Sequence, residues 1–190
     1  MDIEAVKRSI IVVVAGNEQS NWHIIKRFNE KGVKFMATAM KYCDYSFYIP
    51  GCKELGIEES IFFWDKVAIE RKAHLTEIAG NFCKGRTRFE TEFTKALSDG
   101  CKVTLLIEDE KAKDKMKLRR EMDRCSEYDL DTKYRKTWRT DFKGESMIGS
   151  IKAFKDRYNL DLVFCKKVKT ADVMLDVFYK AVEEYFAEVS

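Results

Sequence analysis

The sequence predicts an α/β fold in which a mixed central β-sheet is flanked by helices. Three observations lead there. Short apolar runs rich in β-branched residues recur at Ser9–Ala15 (SIIVVVA), Val103–Ile107 (VTLLI) and Leu160–Cys165 (LDLVFC), as strands buried in a sheet require. Between them lie segments whose apolar residues repeat with helical period, so strands and helices alternate. Glycine closes several of these segments, at Gly16, Gly32 and Gly100, where a stop signal belongs.

In chain order, Ser9–Ala15 is the first strand and Gly16-Asn17 ends it. Asn21–Lys31 is a helix with Trp22, Ile25 and Phe28 on one face and Gly32 as its stop. Val33–Met40 is a second strand, and the following CDYSFYIPG closes in a Pro50-Gly51 turn. Ser60–Ile69 is a further apolar run that ends in Glu70-Arg71-Lys72. Helices are expected at about His74–Phe82 and Arg86–Ser98, the second with Phe89, Phe93 and Leu97 spaced by four. Val103–Ile107 is a strand, Gly144–Tyr158 a helix, Leu160–Cys165 a strand and Thr170–Glu188 a closing amphipathic helix. Val173, Val177, Val182, Tyr185 and Phe186 on that last helix suit a core or a homodimer contact.

The chain has 190 residues, 45% of them hydrophobic and 35% charged, which fits one folded domain over residues 1–190 and not a disordered chain. Lys and Arg number 35 against 32 Asp and Glu, so any nucleic-acid surface must come from local clustering. No apolar stretch approaches the roughly 18 residues needed to span a bilayer. The N-terminus, MDIEAVKRSI, lacks the basic-then-apolar order of a signal peptide. A cytoplasmic protein with no membrane partner is expected. The six cysteines show no zinc-like spacing with each other or with His23 and His74, so they read as reduced thiols.

The informative constellation is Asp44, then 25 residues, then Glu70-Arg71-Lys72. Alternation along a strand puts Glu70 and Lys72 on one face and Arg71 on the other. With Asp44 at the end of a neighbouring strand, two carboxylates would meet beside an ammonium. Such a set suits Mg²⁺ or Mn²⁺, which take hard oxygen ligands and keep several waters. The metal would activate water and offset charge on a phosphate, and the lysine would orient the water or stabilise the transition state. The same triplet, taken alone, also describes a solvated strand end.

The wider sequence adds to this. The stretch VAIERKAHLTEIAGNFCKGRTRFETEFTKALSDGCKVTLLIE (Val67 to Glu108) resembles the XPF-type nuclease domain, most closely its compact phage and bacterial versions. The family's Gly-Asp-Tyr is matched by Cys43-Asp44-Tyr45, and its Glu-Arg-Lys by Glu70-Arg71-Lys72. Its Arg-Phe-x-x-Glu helix is matched at Arg88-Phe89-Glu90, its Ile-Glu strand end at Leu106-Ile107-Glu108, and its C-terminal helix and strand at Met147 to Cys165. The resemblance implies a restriction-endonuclease-like core and Mg²⁺- or Mn²⁺-dependent cleavage of branched or flapped DNA. It implies Asp44 and Glu70 as metal ligands with the Ile69 carbonyl as a further one, Lys72 as the catalytic lysine, and Arg71 as a support or phosphate contact.

The chain departs from the family pattern at three places. Where an Asp-x-Arg-Glu is usual, it has Ala15-Gly16-Asn17-Glu18, keeping only Glu18. After Glu-Arg-Lys and three further residues, where an Asp is usual, stands Thr76 with Glu77 adjacent, and Cys43 stands where a glycine usually precedes the Asp. Glu18, Glu77 and Glu90 are the acids available as substitutes. These departures also allow a catalytically weakened module that keeps the fold and binds DNA or a protein partner.

Further basic residues suggest where DNA would lie. Lys84, Arg86 and Arg88 open a helix next to the proposed site, and a helix N-terminus attracts phosphate. Residues 111–139 form a basic insert with eleven Lys or Arg against six acids. Within it Lys133, Arg135, Lys136 and Arg139 alternate with Tyr134 and Trp138, a mixture that neutralises phosphates and stacks on bases, or that simply makes a solvated helix.

Overall fold

The computed structural model describes residues 1–83, 85–108 and 144–189. Lys84 and the basic insert, with Lys133, Arg135, Lys136 and Arg139, lie outside the described residues. The elements are α1 (Ile3–Ser9), β1 (Ile11–Ala15), α2 (Trp22–Glu30), β2 (Lys34–Thr38), β3 (Tyr45–Ile49) and β4 (Ile61–Phe62). They continue with β5 (Val67–Lys72), α3 (Leu75–Cys83), α4 (Arg86–Ser98), β6 (Lys102–Glu108), α5 (Gly144–Tyr158), β7 (Asp161–Cys165) and α6 (Thr170–Val189).

The strands form one sheet in the order β2-β1-β3-β5-β6-β7, with β4 paired to β3. It is mixed: β1 runs parallel to β2 and antiparallel to β3, whereas β5, β6 and β7 are parallel. Because β3 and β5 are antiparallel, paired at Tyr45 and Ile69, the start of β3 meets the end of β5. That meeting point sets the Asp44 amide against the Ile69 carbonyl, one residue before Glu70.

Two apolar layers cover the sheet. On one face α3, α4 and α5 bury Ile78, Phe82, Phe89, Phe93 and Phe154 against Ala68, Val103, Leu105 and Ile107. On the other, α1, α2 and α6 bury Val6, Ile24, Phe28, Met174 and Phe178 against Val12, Val14, Ile69 and Leu106. Alternate residues of β5 and β6 thus feed opposite layers, as the pleat requires. No helix among the described residues is long and apolar enough to cross a membrane.

Several element readings shift in detail. Helix α1 stands where no element is expected; its N-cap is Asp2, whose carboxylate accepts from Ala5 N–H at 3.0 Å. The run Ser60–Ile69 is not one strand but β4 and β5, separated by Phe63–Lys66. On α2 the buried line is Ile24 and Phe28, spaced by four, while Trp22 is exposed. On α4, Phe89 and Phe93 are buried but Leu97 is exposed. Val173, Val182 and Phe186 of α6 line the core of the same chain.

Candidate active site

Strand β5 is the base of the site. It pairs with β6 in register from Val67 opposite Lys102 to Lys72 opposite Ile107, which fixes which way each side chain points. Glu70 and Lys72 turn toward α4, where Lys72 Nζ lies 5.2 Å from the centroid of the Phe89 ring.

Asp44 is pinned by main-chain groups of two strands, β1 and β5. Its N–H donates to the Ile69 carbonyl at 3.0 Å, and its carbonyl accepts from Ala15 N–H at 2.8 Å. Its Oδ2 accepts from Arg71 N–H at 2.8 Å. Burial first, then the Glu18 charge, raise the Asp44 carboxyl to about 7, against the opposing pull of Lys72. The residue before it, Cys43, has φ of 61°. In that left-handed region a side chain costs roughly 1–2 kcal/mol, and glycine avoids the penalty. The Cys43 N–H donates to Glu92 Oε1 at 2.7 Å.

Glu70 is only 3% exposed. Its Oε1 accepts from Lys72 Nζ at 2.6 Å, while Oε2 is buried without a hydrogen-bond partner among the described residues. Burial and then the Asp44 charge push Glu70 well above the usual carboxylate range; Lys72 acts in the other direction. Burial disfavours the Lys72 charge, but Glu70 and Asp44 more than offset it and hold the ammonium above its ordinary value. Glu77 Oε1 lies 3.6 Å from Lys72 Nζ, and Glu77 Oε2 caps the Ala73 N–H at 2.9 Å. The Cys43 thiol and the Glu70 and Glu92 carboxylates lie within 4.8 Å of one another. A buried carboxylate oxygen without a donor is costly, and a cation satisfies it, so this donor set fits a divalent metal.

Arg71, expected to support the site or touch phosphate, faces the other side of the sheet. Its Nε donates to Glu18 Oε1 at 2.6 Å, Nη1 to Glu108 Oε2 at 3.0 Å and Nη2 to the Gln19 carbonyl at 2.9 Å. Glu108 in turn accepts from Thr170 Oγ1 at 2.7 Å and pairs with His23 Nε2 at 2.7 Å. Every guanidinium nitrogen is therefore committed inside the protein. Glu18, besides holding Arg71, accepts from Tyr45 Oη at 3.1 Å. Glu90 is directed outward, paired with Arg86 at 2.9 Å and Arg157 at 3.4 Å. Arg86 and Arg88 are exposed at the start of α4, and His74 is exposed beyond β5. The Ile69 carbonyl already accepts from Asp44, leaving it one lone pair for another partner.

Glu92 is the residue that sequence reasoning missed. The signal was present: it is the last residue of Arg-Phe-x-x-Glu, three after Phe89 and one before Phe93. Residues three apart on a helix share a face, so an inward Phe89 brings Glu92 toward the sheet.

The profile of the ERCC4 domain matches residues 14–176. The chain belongs to the ERCC4 domain family. The ERCC4-domain fold recurs in XPF from Aeropyrum pernix, with a TM-score of 0.56 and 15% identity over 90% of this chain and 64% of that one. A second structure of that protein, in complex with DNA, gives 0.55 and 14% over 92% of this chain and 66% of that one. This ERCC4 chain thus spans a little under two thirds of the length of those structures. Among curated proteins none matches. The family's glycine before the aspartate has a direct physical reason here, because the backbone at Cys43 is left-handed.

Proposed function

We propose that the chain is a metal-dependent endonuclease that hydrolyses phosphodiester bonds of branched or flapped DNA with Mg²⁺ or Mn²⁺, and that residues 1–190 make one nuclease domain. Glu70 Oε2 carries the reading. It is a buried carboxylate oxygen with no donor among the described residues, beside one lysine and under the charge of Asp44. Membership of the ERCC4 domain family and a shared fold with a protein solved on DNA support the choice of substrate.

In this reading Asp44 and Glu70, with the Ile69 carbonyl, hold the cation, and their main-chain and ion-pair contacts pre-set their positions. The cation, when bound, lowers the pKa of water and neutralises charge on the scissile phosphate. Lys72 stays protonated between Glu70 and Asp44 and presents a donor to a phosphate oxygen or the attacking water. Glu77 steadies that ammonium at its outer edge. Exposed Arg86 and Arg88 would meet the phosphate backbone near the start of α4, and Lys84 with the basic insert would extend that contact.

Glu70→Gln tests the reading, since it keeps size and removes charge. Cleavage of a flapped duplex with Mg²⁺ or Mn²⁺ should fall by about three orders of magnitude or more, with the circular dichroism spectrum unchanged. Undiminished cleavage by this variant would refute the assignment. A second reading, a DNA- or partner-binding module without catalysis, is favoured by Ala15 and Asn17 and by the capture of Glu18 in the Arg71 network. It predicts salt-sensitive DNA binding by the wild type with no cleavage under either cation.

A further inference from the structure

Beside the Asp44–Glu70–Lys72 constellation the structure gathers a donor set of a different kind. The Cys43 thiol, the Glu70 carboxylate and the Glu92 carboxylate all lie within 4.8 Å of one another. Each is delivered by separate geometry. Cys43 is held in the left-handed region at φ 61° and tied through its N–H to Glu92 Oε1. Glu92 is half-buried and comes from α4, between the buried Phe89 and Phe93. Glu70 comes from β5 with Oε1 taken by Lys72 and Oε2 without a partner among the described residues. That oxygen, unpartnered among the described residues and on a side chain 3% exposed, is a separate sign that a cation completes the cluster.

We propose that Cys43, Glu70 and Glu92 form a binding site for a thiophilic divalent cation, Zn²⁺ and its analogues Co²⁺ and Cd²⁺, sharing Glu70 with the proposed nuclease centre. One sulfur and two carboxylate oxygens supply three ligands and leave a fourth tetrahedral position for water, the arrangement that Zn²⁺ accepts. Mg²⁺ prefers an octahedral oxygen shell and gains nothing from the sulfur. On binding, the thiol proton is released to solvent and the sulfur coordinates as thiolate. A cation there also takes up Glu70, so it competes with Mg²⁺ or Mn²⁺; this last consequence alone rests on the nuclease reading.

The test uses the full chain and Co²⁺ as probe. The wild type should develop thiolate-to-Co²⁺ charge-transfer absorption in the near ultraviolet. Cys43→Gly, which suits the left-handed backbone, and Cys43→Ser, which keeps the side-chain shape, should both lose that absorption while circular dichroism stays native. Cys52→Ser, at a cysteine away from the cluster, should keep it. Glu92→Gln should weaken Co²⁺ and Zn²⁺ affinity by about tenfold or more, as loss of a ligand does. No charge-transfer band in the wild type at excess Co²⁺, or a band that survives Cys43→Gly, overturns the site. The nuclease reading is judged separately. A Cys43-dependent band in a protein that cleaves no DNA would uphold the site and reject the nuclease. Mn²⁺-dependent cleavage without the band would do the reverse.

Discussion

The protonation of Asp44 is coupled to the stability of the fold. Its carboxyl sits at about 7 instead of 3.8, chiefly through burial and then through Glu18. An acid raised in the folded state holds its proton more tightly there than in the unfolded chain. Its penalty is therefore absent below the ordinary value and grows as pH rises from 3.8 toward 7. In chelator-treated protein, the melting temperature of the wild type should drop relative to Asp44→Asn between about pH 4 and about pH 7. Equal melting temperatures across that window would show that Asp44 titrates normally. Excess Mn²⁺ should narrow the gap at neutral pH, because a ligand that binds only the folded state stabilises it.

Within single elements, α4 shows what a sequence discloses and what it withholds. Its limits, Arg86–Ser98, follow from apolar spacing and from the Asp99-Gly100 stop, and the left-handed φ of Gly100 is the physical content of that stop. That Glu70 and Lys72 share a face is legible, because residues two apart on a strand must do so; that Asp44 lies against β5 depends on the antiparallel pairing of β3 with β5. Glu90 and Glu92 look alike as letters, and only the turn of the helix separates them: one pairs outward with Arg86, the other reaches inward to the Cys43 amide. The role of Arg71 was illegible for another reason. Its partners Glu18 and Glu108 lie 53 and 37 residues away in the chain, so only the tertiary fold reveals them. Helix α1 escaped notice because its seven residues bury only Val6, too few to mark a periodic face. Phe93 packs against Phe89, Phe154 and Tyr158 and helps hold α4 on the sheet. Phe93→Ala should cost about 3–5 kcal/mol in urea unfolding. A loss well under 1 kcal/mol would mean that α4 is anchored by something else.

Across the molecule the two faces of the sheet divide the labour. One holds the cluster around Glu70; the other holds a polar network that joins Arg71 to Glu18 and Glu108, and Glu108 to His23 and Thr170. The Glu108 carboxyl is kept below its ordinary range because His23 and Thr170 hydrogen bonds and the Arg71 charge outweigh its burial. Arg71→Ala would strand the buried Glu108 and should destabilise the fold by about 3–5 kcal/mol. At a temperature where the variant is folded, the salt dependence of its DNA binding should match the wild type, because a residue with no phosphate contact releases no counterions. A shallower salt slope in Arg71→Ala would instead place its guanidinium on DNA.

The pairing of β5 with β6 has a last consequence. Adjacent side chains on β5 serve opposite layers, so a slip of one residue would carry Arg71 in among the acids and send Glu70 and Lys72 into the network that now holds Arg71. Both compartments would be ruined by the same error. The register that buries Arg71 in its ion pairs is thus the same one that sets Glu70 and Lys72 beside each other on the opposite face.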